Sequence, residues 1–388
     1  MKTKILASEY IVKFLEDKGI THIFELTGGM ISYLLDAFQH HTSIEIVSVH
    51  HEQAAAFAAD AYSRVNNIPG VALASSGPGA INLLTGIGNC FFDSVPAIFI
   101  TGQVNTNEQK GDSKVRQLGF QETDIVAMAQ PVCKKAYRVT DVNTIPQIFE
   151  EAYAIAVSNR PGPVLIDIPM NLQRTELEFF SNKNVEQLTQ ELVSEDPSDK
   201  ITGLIADIST SKRPLILAGR GIRSSASTEL FEQFYNTTQI PVITSLLGID
   251  LIEYSHPLRA GFIGVYGNRW SNMAIGESDL IIVIGSRLDI RQTGADTNGF
   301  KGSRTIYHID CEEAELNFRI SGCHILQIDI QQFLQAFNEK TEAVHFEKKT
   351  AWITQIENLR DKHPDTGELK AIGGINPNKF IHALSQVS

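Results

Sequence analysis

Cysteine is scarce: Cys90, Cys133, Cys311 and Cys323 are the only four in 388 residues, and none is spaced as a metal-ligand pair or a disulfide framework. The chain opens MKTKILASEY without the apolar stretch of a secretory leader, so a reducing, cytoplasmic setting is expected. No apolar run approaches the roughly 20 residues that span a bilayer, which excludes a membrane helix. Basic residues are not in excess, since 33 Lys and Arg face 45 Asp and Glu for a net charge of −12. Without long runs of one sign, that balance speaks against nucleic acid or an anionic membrane as partner. Short-period repeats and low-complexity tracts are absent. His50 and His51 are adjacent, but no further His or carboxylate recurs nearby at ligand spacing, so they are read as structural or rim residues and no metal ligand is assigned.

What is present is material for two or three packed cores, with 43% hydrophobic residues and 28 glycines. β-Branched runs at 45–49, 71–74, 97–101 and 164–168 alternate with amphipathic stretches of helical length at 8–18, 52–65 and 144–158. Such alternation predicts an α/β fold with a parallel sheet covered on both faces. A polar stretch, SNKNVEQLTQELVSEDPSDK, then breaks the pattern and reads as a linker over 181–200. A second α/β block follows with strands expected at 214–217, 241–245, 280–284, 305–309 and 325–328. The domain reading is therefore 1–180, linker 181–200, and 201–340. Residues 341–388, with helices expected at 352–362 and 377–387, read either as a linker and the opening of a third domain or as an appendage docked on the second.

Three segments of the first block carry polar chemistry at strand ends. Glu52 opens the alanine-rich helix EQAAAFAADAYSR directly after the strand IEIVSV, where α/β folds bind ligands. The same placement also serves simply to complement a helix dipole. Gly77, Pro78 and Gly79 follow the strand VALA and open a helix containing Asn82. Thr27, Gly28 and Gly29 follow IFEL. Each glycine loop alone reads as a turn; three successive strand ends of this kind would line one sheet edge.

With TGGM, HEQAAAFAADAYSR, SSGPGAINLLTGIGN, the triplet Phe120-Gln121-Glu122 and RPGPVLIDIP in place, the chain resembles the acetohydroxyacid (acetolactate) synthase branch of the thiamine-diphosphate enzymes over about residues 1–340. The resemblance implies two doubly wound parallel-sheet domains, a pyrimidine-binding domain and a Rossmann-like central domain. It assigns Glu52 to the N1′ nitrogen of the cofactor's aminopyrimidine, where a carboxyl favours the imino tautomer. The activity it implies is decarboxylation of a 2-oxo acid such as pyruvate and transfer of the two-carbon unit to a carbonyl acceptor, as in branched-chain amino acid biosynthesis. Gln121 is placed near the substrate, with Phe120 as an apolar wall or a core residue, and Lys134 near the substrate channel.

In the second block the resemblance implies a structural flavin adenine dinucleotide, although related enzymes keep this domain with another nucleotide or none. Its candidate residues are Gly219, Arg220, Gly221, Ser245, Leu246, Gly264, Tyr266, Gly285, Arg287, Asp289, Arg291, Asp310 and Asp329. Arg160 of the first block joins Arg287 as a candidate for the diphosphate or the ring edge.

Two departures alter these expectations. Thr27 stands where the family often has proline. The stretch NTNEQKGDSKVRQLG replaces a shorter loop, which opens the acceptor to a sugar-linked or other carbonyl. The Gly-Asp-Gly motif that would hold magnesium and the cofactor diphosphate does not occur, so these ligands are expected in a third domain and the 388 residues alone are expected to be inactive. The family further implies a dimer or larger homo-oligomer with sites between subunits. A 2-oxo acid decarboxylase, a flavin oxidase and a non-catalytic assembly module with this fold are the competing readings.

Overall fold

The computed structural model describes residues 2–180, 196–367, 369 and 372–387. Contacts divide the chain into two units, Met1–Glu191 and Leu192–Ser388. Residues 181–195 of the expected linker lie outside the described residues, and from Ser198 the chain is already helical.

The first unit runs β1 (Lys2–Leu6), α1 (Ala7–Asp17), β2 (His22–Glu25), α2 (Ser32–His41), β3 (Glu45–Ser48), α3 (Glu52–Asn66), β4 (Gly70–Ala74), α4 (Pro78–Asp93), β5 (Ala97–Gln103), α5 (Ile125–Ala129), β6 (Lys135–Arg138), α6 (Ile145–Val157), β7 (Pro163–Pro169), α7 (Met170–Gln173) and β8 (Glu176–Phe180). Six strands form a parallel sheet in the order β3-β2-β4-β5-β7-β6. β1 and β8 pair antiparallel as a separate ribbon that the sequence reading did not anticipate.

The central strands are buried on both faces because their side chains alternate between two cores. Val71, Leu73, Ile98, Ile100, Val164 and Ile166 face the core under α1, α2 and α6. Ala72, Ala74, Phe99 and Leu165 face the core under α3 and α4. That second core is built from small residues, which lets the two helices approach closely. A Cβ built on Gly86 would stand 2.3 Å from Ala56 Cβ, and one on Gly70 would stand 1.9 Å from Ala59 O.

The second unit runs α8 (Ser198–Thr210), β9 (Pro214–Ala218), α9 (Gly221–Ser224), α10 (Thr228–Thr238), β10 (Val242–Thr244), β11 (Arg259–Phe262), α11 (Arg269–Glu277), β12 (Leu280–Ile284), α12 (Ile290–Thr293), α13 (Thr297–Lys301), β13 (Thr305–Asp310), β14 (His324–Gln327), α14 (Ile330–Thr341), α15 (Thr350–Lys362) and α16 (Pro377–Leu384). Its parallel sheet is ordered β11-β10-β9-β12-β13-β14.

Beyond residue 340, the expected end of this unit, the chain continues to pack on it. Trp352, Ile353 and Ile356 of α15 are buried in its core, and Trp352 Nε1 donates to Pro214 O at 3.0 Å. Asp365 accepts from Trp270 Nε1 at 2.9 Å and from Asn268 Nδ2 at 2.7 Å. Of the two sequence readings for 341–388, the docked appendage therefore holds as far as Asp365. No residue of α16 is buried, and its Phe380, Ile381 and Leu384 are exposed. Among the described residues no helix is long and apolar enough to cross a membrane.

Candidate cofactor site

In the first sheet the chain leaves β2 for β3 on one side and returns to β4 on the other. The carboxyl ends of β2 and β4 are thus a topological switch point, the usual crevice for ligands in such sheets. Thr27, Gly28 and Gly29 follow β2, Gly77 follows β4, and Glu52 follows neighbouring β3, so the three expected segments share this edge. Gly28 is extended and abuts the serine loop, since an added Cβ would stand 2.4 Å from Ser75 Cβ. Gly77 has φ 63° and ψ −131°, a left-handed conformation that favours glycine, and Pro78 sets the first turn of α4.

Glu52 is 9% exposed and its Oε2 accepts from Asn82 Nδ2 at 2.9 Å. The close packing of α3 on α4 makes this pairing across 30 positions of sequence. Oε1 lies over Gly79, where an added Cβ would be 3.0 Å away. His51 accepts from Gln53 N through Nδ1 at 3.1 Å and so caps α3, while His50 is exposed, as the rim reading required. Nearby, Ser76 Oγ is buried without a hydrogen-bond partner.

Gln121 is brought to the same edge by tight backbone contact. It has φ 63°, and a Cβ on Gly77 would stand 2.7 Å from Gln121 Cβ. Phe120 is 78% exposed, which overturns its core reading; within this unit it projects from the loop rather than forming a packed wall. The loop preceding it is closed by Glu122, whose carboxylate accepts from Lys110 N at 2.7 Å and Leu118 N at 2.9 Å. Asp124 ends the loop by capping α5 and pairing with Arg138.

Two of the expected residues lie at the far edge of this sheet. Lys134 immediately precedes β6, where its main-chain N donates to Pro163 O at 2.8 Å. Its ammonium donates to Ile155 O and to Ser158 O, the latter at 2.8 Å, and so satisfies carbonyls at the C-terminal end of α6. Arg160 precedes β7, with Nε donating to Ser94 Oγ at 2.8 Å. Both lie at the amino ends of parallel strands, and for Lys134 that edge, opposite Glu52, is away from the expected substrate channel.

Two site-edge groups escaped the sequence reading. Glu25, the last residue of β2, is fully buried and accepts from Thr27 Oγ1 at 3.1 Å and from Ser48 Oγ. Its signal was an acid inside an otherwise apolar strand. Asp167 of β7 accepts from Thr101 Oγ1 at 2.7 Å and from Gln103 Nε2 at 3.0 Å. Burial pushes the Asp167 carboxyl up to about 6, against those two hydrogen bonds and nearby Arg138, which lower it, with Asp124 raising it.

The folded protein therefore binds this proton more tightly than the unfolded chain. The resulting stability is fully present below the ordinary value of 3.8 and is lost as pH rises through about 6. Over that window the loss amounts to about 3 kcal/mol, as an order of magnitude. Asp167→Asn is expected to flatten this part of the thermal-midpoint profile against pH; identical slopes in variant and parent would refute the assignment.

In the second unit all six carboxyl strand ends carry expected residues. The switch point lies between β9 and β12, and there Gly219, Gly221 and Gly285 let two loops cross. A Cβ on Gly219 would stand 2.0 Å from Gly285 O, and Gly221 N donates to Gly285 O at 3.0 Å. These glycines thus have a backbone-packing cause. Arg220 starts the four-residue α9, too short to present a diphosphate site.

Gly264, Tyr266 and Arg291 do meet. Val265 N donates to Arg291 O at 2.8 Å, and Arg291 Nη1 donates to Tyr266 OH at 3.0 Å. Ser245 is buried at the end of β10, whereas Leu246 is 50% and Tyr266 65% exposed. Asp289 and Asp329 cap α12 and α14, and Asp310 accepts from Glu312 N at 3.0 Å, so each carboxylate has a local structural role. Arg287 stands half-exposed, 3.9 Å from Asp289. Buried His308, also unforeseen, donates from Nε2 to Ser286 O at 2.9 Å beneath this loop, and desolvation lowers its pKa.

Comparison with known proteins agrees with the two-unit division. Residues 6–128 match the family described as thiamine pyrophosphate enzyme, N-terminal TPP binding domain, and residues 201–337 match thiamine pyrophosphate enzyme, central domain. The chain is 34% identical over 367 residues to the acetolactate synthase large subunit of Lactococcus lactis, covering 93% of this chain and 61% of the relative. It is 34% identical over 386 residues to that of Corynebacterium glutamicum, covering 99% and 60%. With chloroplastic acetolactate synthase 1 of Nicotiana tabacum identity is 33% over 395 residues, covering 98% and 56%. The chain thus spans about three fifths of the length of these curated relatives. With both domain models falling in order on the two structural units, the chain belongs to the thiamine pyrophosphate enzymes, of which it carries the N-terminal TPP-binding domain and the central domain.

Proposed function

We propose that this chain forms the pyrimidine-binding half of a thiamine diphosphate site in an acetolactate-synthase-type carboligase, with Glu52 as the acid–base contact to the cofactor. The observation that carries the reading is the Glu52 carboxyl, buried at a switch-point edge, with one oxygen held by Asn82 and the other beside a glycine. A flat heterocycle fits that donor set: the space over Oε1 is one that a Cβ at position 79 would fill, and Ser76 Oγ offers an unused polar contact.

When bound, thiamine diphosphate supplies the carbon nucleophile that allows a 2-oxo acid to lose carbon dioxide. The protein's own share is orientation and proton transfer. Asn82 fixes the Glu52 carboxyl, which would exchange a proton with the cofactor's ring nitrogen, and Gln121 stands at the substrate end of the site, over the Gly77 turn. Pyruvate as donor and a carbonyl compound as acceptor belong to this reading, which the relatives' name, acetolactate synthase, supports. The 105–124 loop, held by Glu122, is the segment that shapes the acceptor pocket.

In this reading magnesium and the cofactor diphosphate are held by a further domain beyond these two units, in a homo-oligomer that completes the site, consistent with the greater length of the relatives. The test is cofactor-dependent release of carbon dioxide from pyruvate by the assembled enzyme; no release with thiamine diphosphate and magnesium present would overturn it.

A flavin on the central domain is supported by exposed Leu246, Tyr266 and Arg287, which all follow carboxyl strand ends of one sheet, with Arg291 bonded to Tyr266. Protein purified with added flavin adenine dinucleotide is expected to retain a band at about 450 nm after gel filtration. A colourless protein would remove the flavin from this reading.

A further inference from the structure

Gln121 reaches the cofactor edge at the end of a long loop, and two contacts set where it lies. Its backbone rests on Gly77. The second contact comes from Gln103, the last residue of β5 and only 5% exposed. Gln103 Nε2 donates to Thr123 O at 2.8 Å and to Asp167 Oδ2 at 3.0 Å, while Gln103 Oε1 accepts from Val104 N at 3.0 Å. The other Asp167 oxygen is held by Thr101. An amide that uses both donors and its acceptor inside a buried sheet edge has a single orientation. Thr123 lies two residues from Gln121 and donates through Oγ1 to Gln121 O at 3.4 Å.

We propose that Gln103, held by the Asp167 carboxylate, is a positioning residue that fixes Gln121 over the Gly77 turn and thereby at the substrate end of the site. The proposal rests on the reading of Gln121 as a substrate-facing residue. Packing alone does not call for this arrangement. An apolar side chain of the same volume would close the end of β5 without burying an amide against a carboxylate, which is costly unless the hydrogen bonds serve to fix one geometry.

Gln103→Met keeps the volume and removes both donors. By hydrogen exchange on the full chain, the amides of residues 119–124 are expected to exchange about tenfold faster, while those of α3 and α4 keep the parent's rates. In the assembled enzyme, kcat for pyruvate is expected to fall by a similar factor with KM little changed. Gln103→Met is expected to add no further loss to Gln121→Ala, because both act through the same side chain.

Should Gln103→Met fail to fold, Gln103→Asn serves instead: it keeps the amide but is one methylene too short to reach both partners, and the same changes are expected. Unchanged exchange at 119–124 overturns the clamp. Losses that simply multiply in the double variant overturn the positioning role. If Gln121→Ala turns over like the parent, the reading of Gln121 itself falls, and that outcome is distinct from unchanged exchange.

Discussion

Glu52→Gln is expected to lower kcat for pyruvate decarboxylation about 10²–10⁴-fold in the assembled enzyme, with KM for pyruvate little altered. The substitution preserves shape: the new carbonyl oxygen can still accept from Asn82 Nδ2, now 2.9 Å from Oε2, so α3 and α4 keep their contact. What changes is the atom beside Gly79. An amide nitrogen there carries protons it does not exchange, whereas a carboxyl can pass one to and from a ring nitrogen. An unchanged thermal midpoint together with the loss in kcat would separate chemistry from folding. Turnover equal to the parent's would remove Glu52 from the mechanism and leave its burial as a packing feature of the helix pair.

The second large effect is on stability. Trp352→Ala is expected to destabilise the central unit by about 3–5 kcal/mol, which for a unit of this size corresponds to a fall of roughly 10 °C in its midpoint. The indole is 2% exposed, and its removal also strips Pro214 O of its donor at the start of β9. The chain has two tryptophans, and the other, Trp270, lies in the same unit, so fluorescence in a denaturant titration of the variant reports on that unit. A loss below about 1 kcal/mol, the size of an ordinary surface change, would mean that α15 is not part of the central core.

The parts of the fold that were legible in the sequence share a physical cause. Strands β4, β5, β7, β9 and β12 lie between neighbours and are buried on both faces, so each reads as a continuous apolar run. β6 has the sequence KAYR and β11 RAGF, and neither was anticipated because each is only four residues long and opens on a charged residue, with no apolar run to mark it. The α15 helix was foreseen, but its docking was not assigned, because the chain alone does not say which surface buries Trp352.

The site divides in the same way. Glycine loops and an acidic helix start after strands were readable as local chemistry, and the parallel sheet places all of them on one edge. Lys134 was misassigned for a related reason. It stands before a strand, and a parallel sheet puts everything that precedes a strand on the far edge.

By itself the sequence determined the α/β alternation, the two units and the segments bearing Glu52, Gly28 and Gly77, since each depends on residues within a few positions of one another. Only the tertiary structure decided that Asn82 holds Glu52, that Glu25 is buried under Thr27, and that Asp167 and Gln103 grip the Gln121 loop. Apart from Glu25 with Thr27, these contacts join residues 20 to 66 positions apart. Strand order and helix packing bring them together, and neither is encoded in any local pattern.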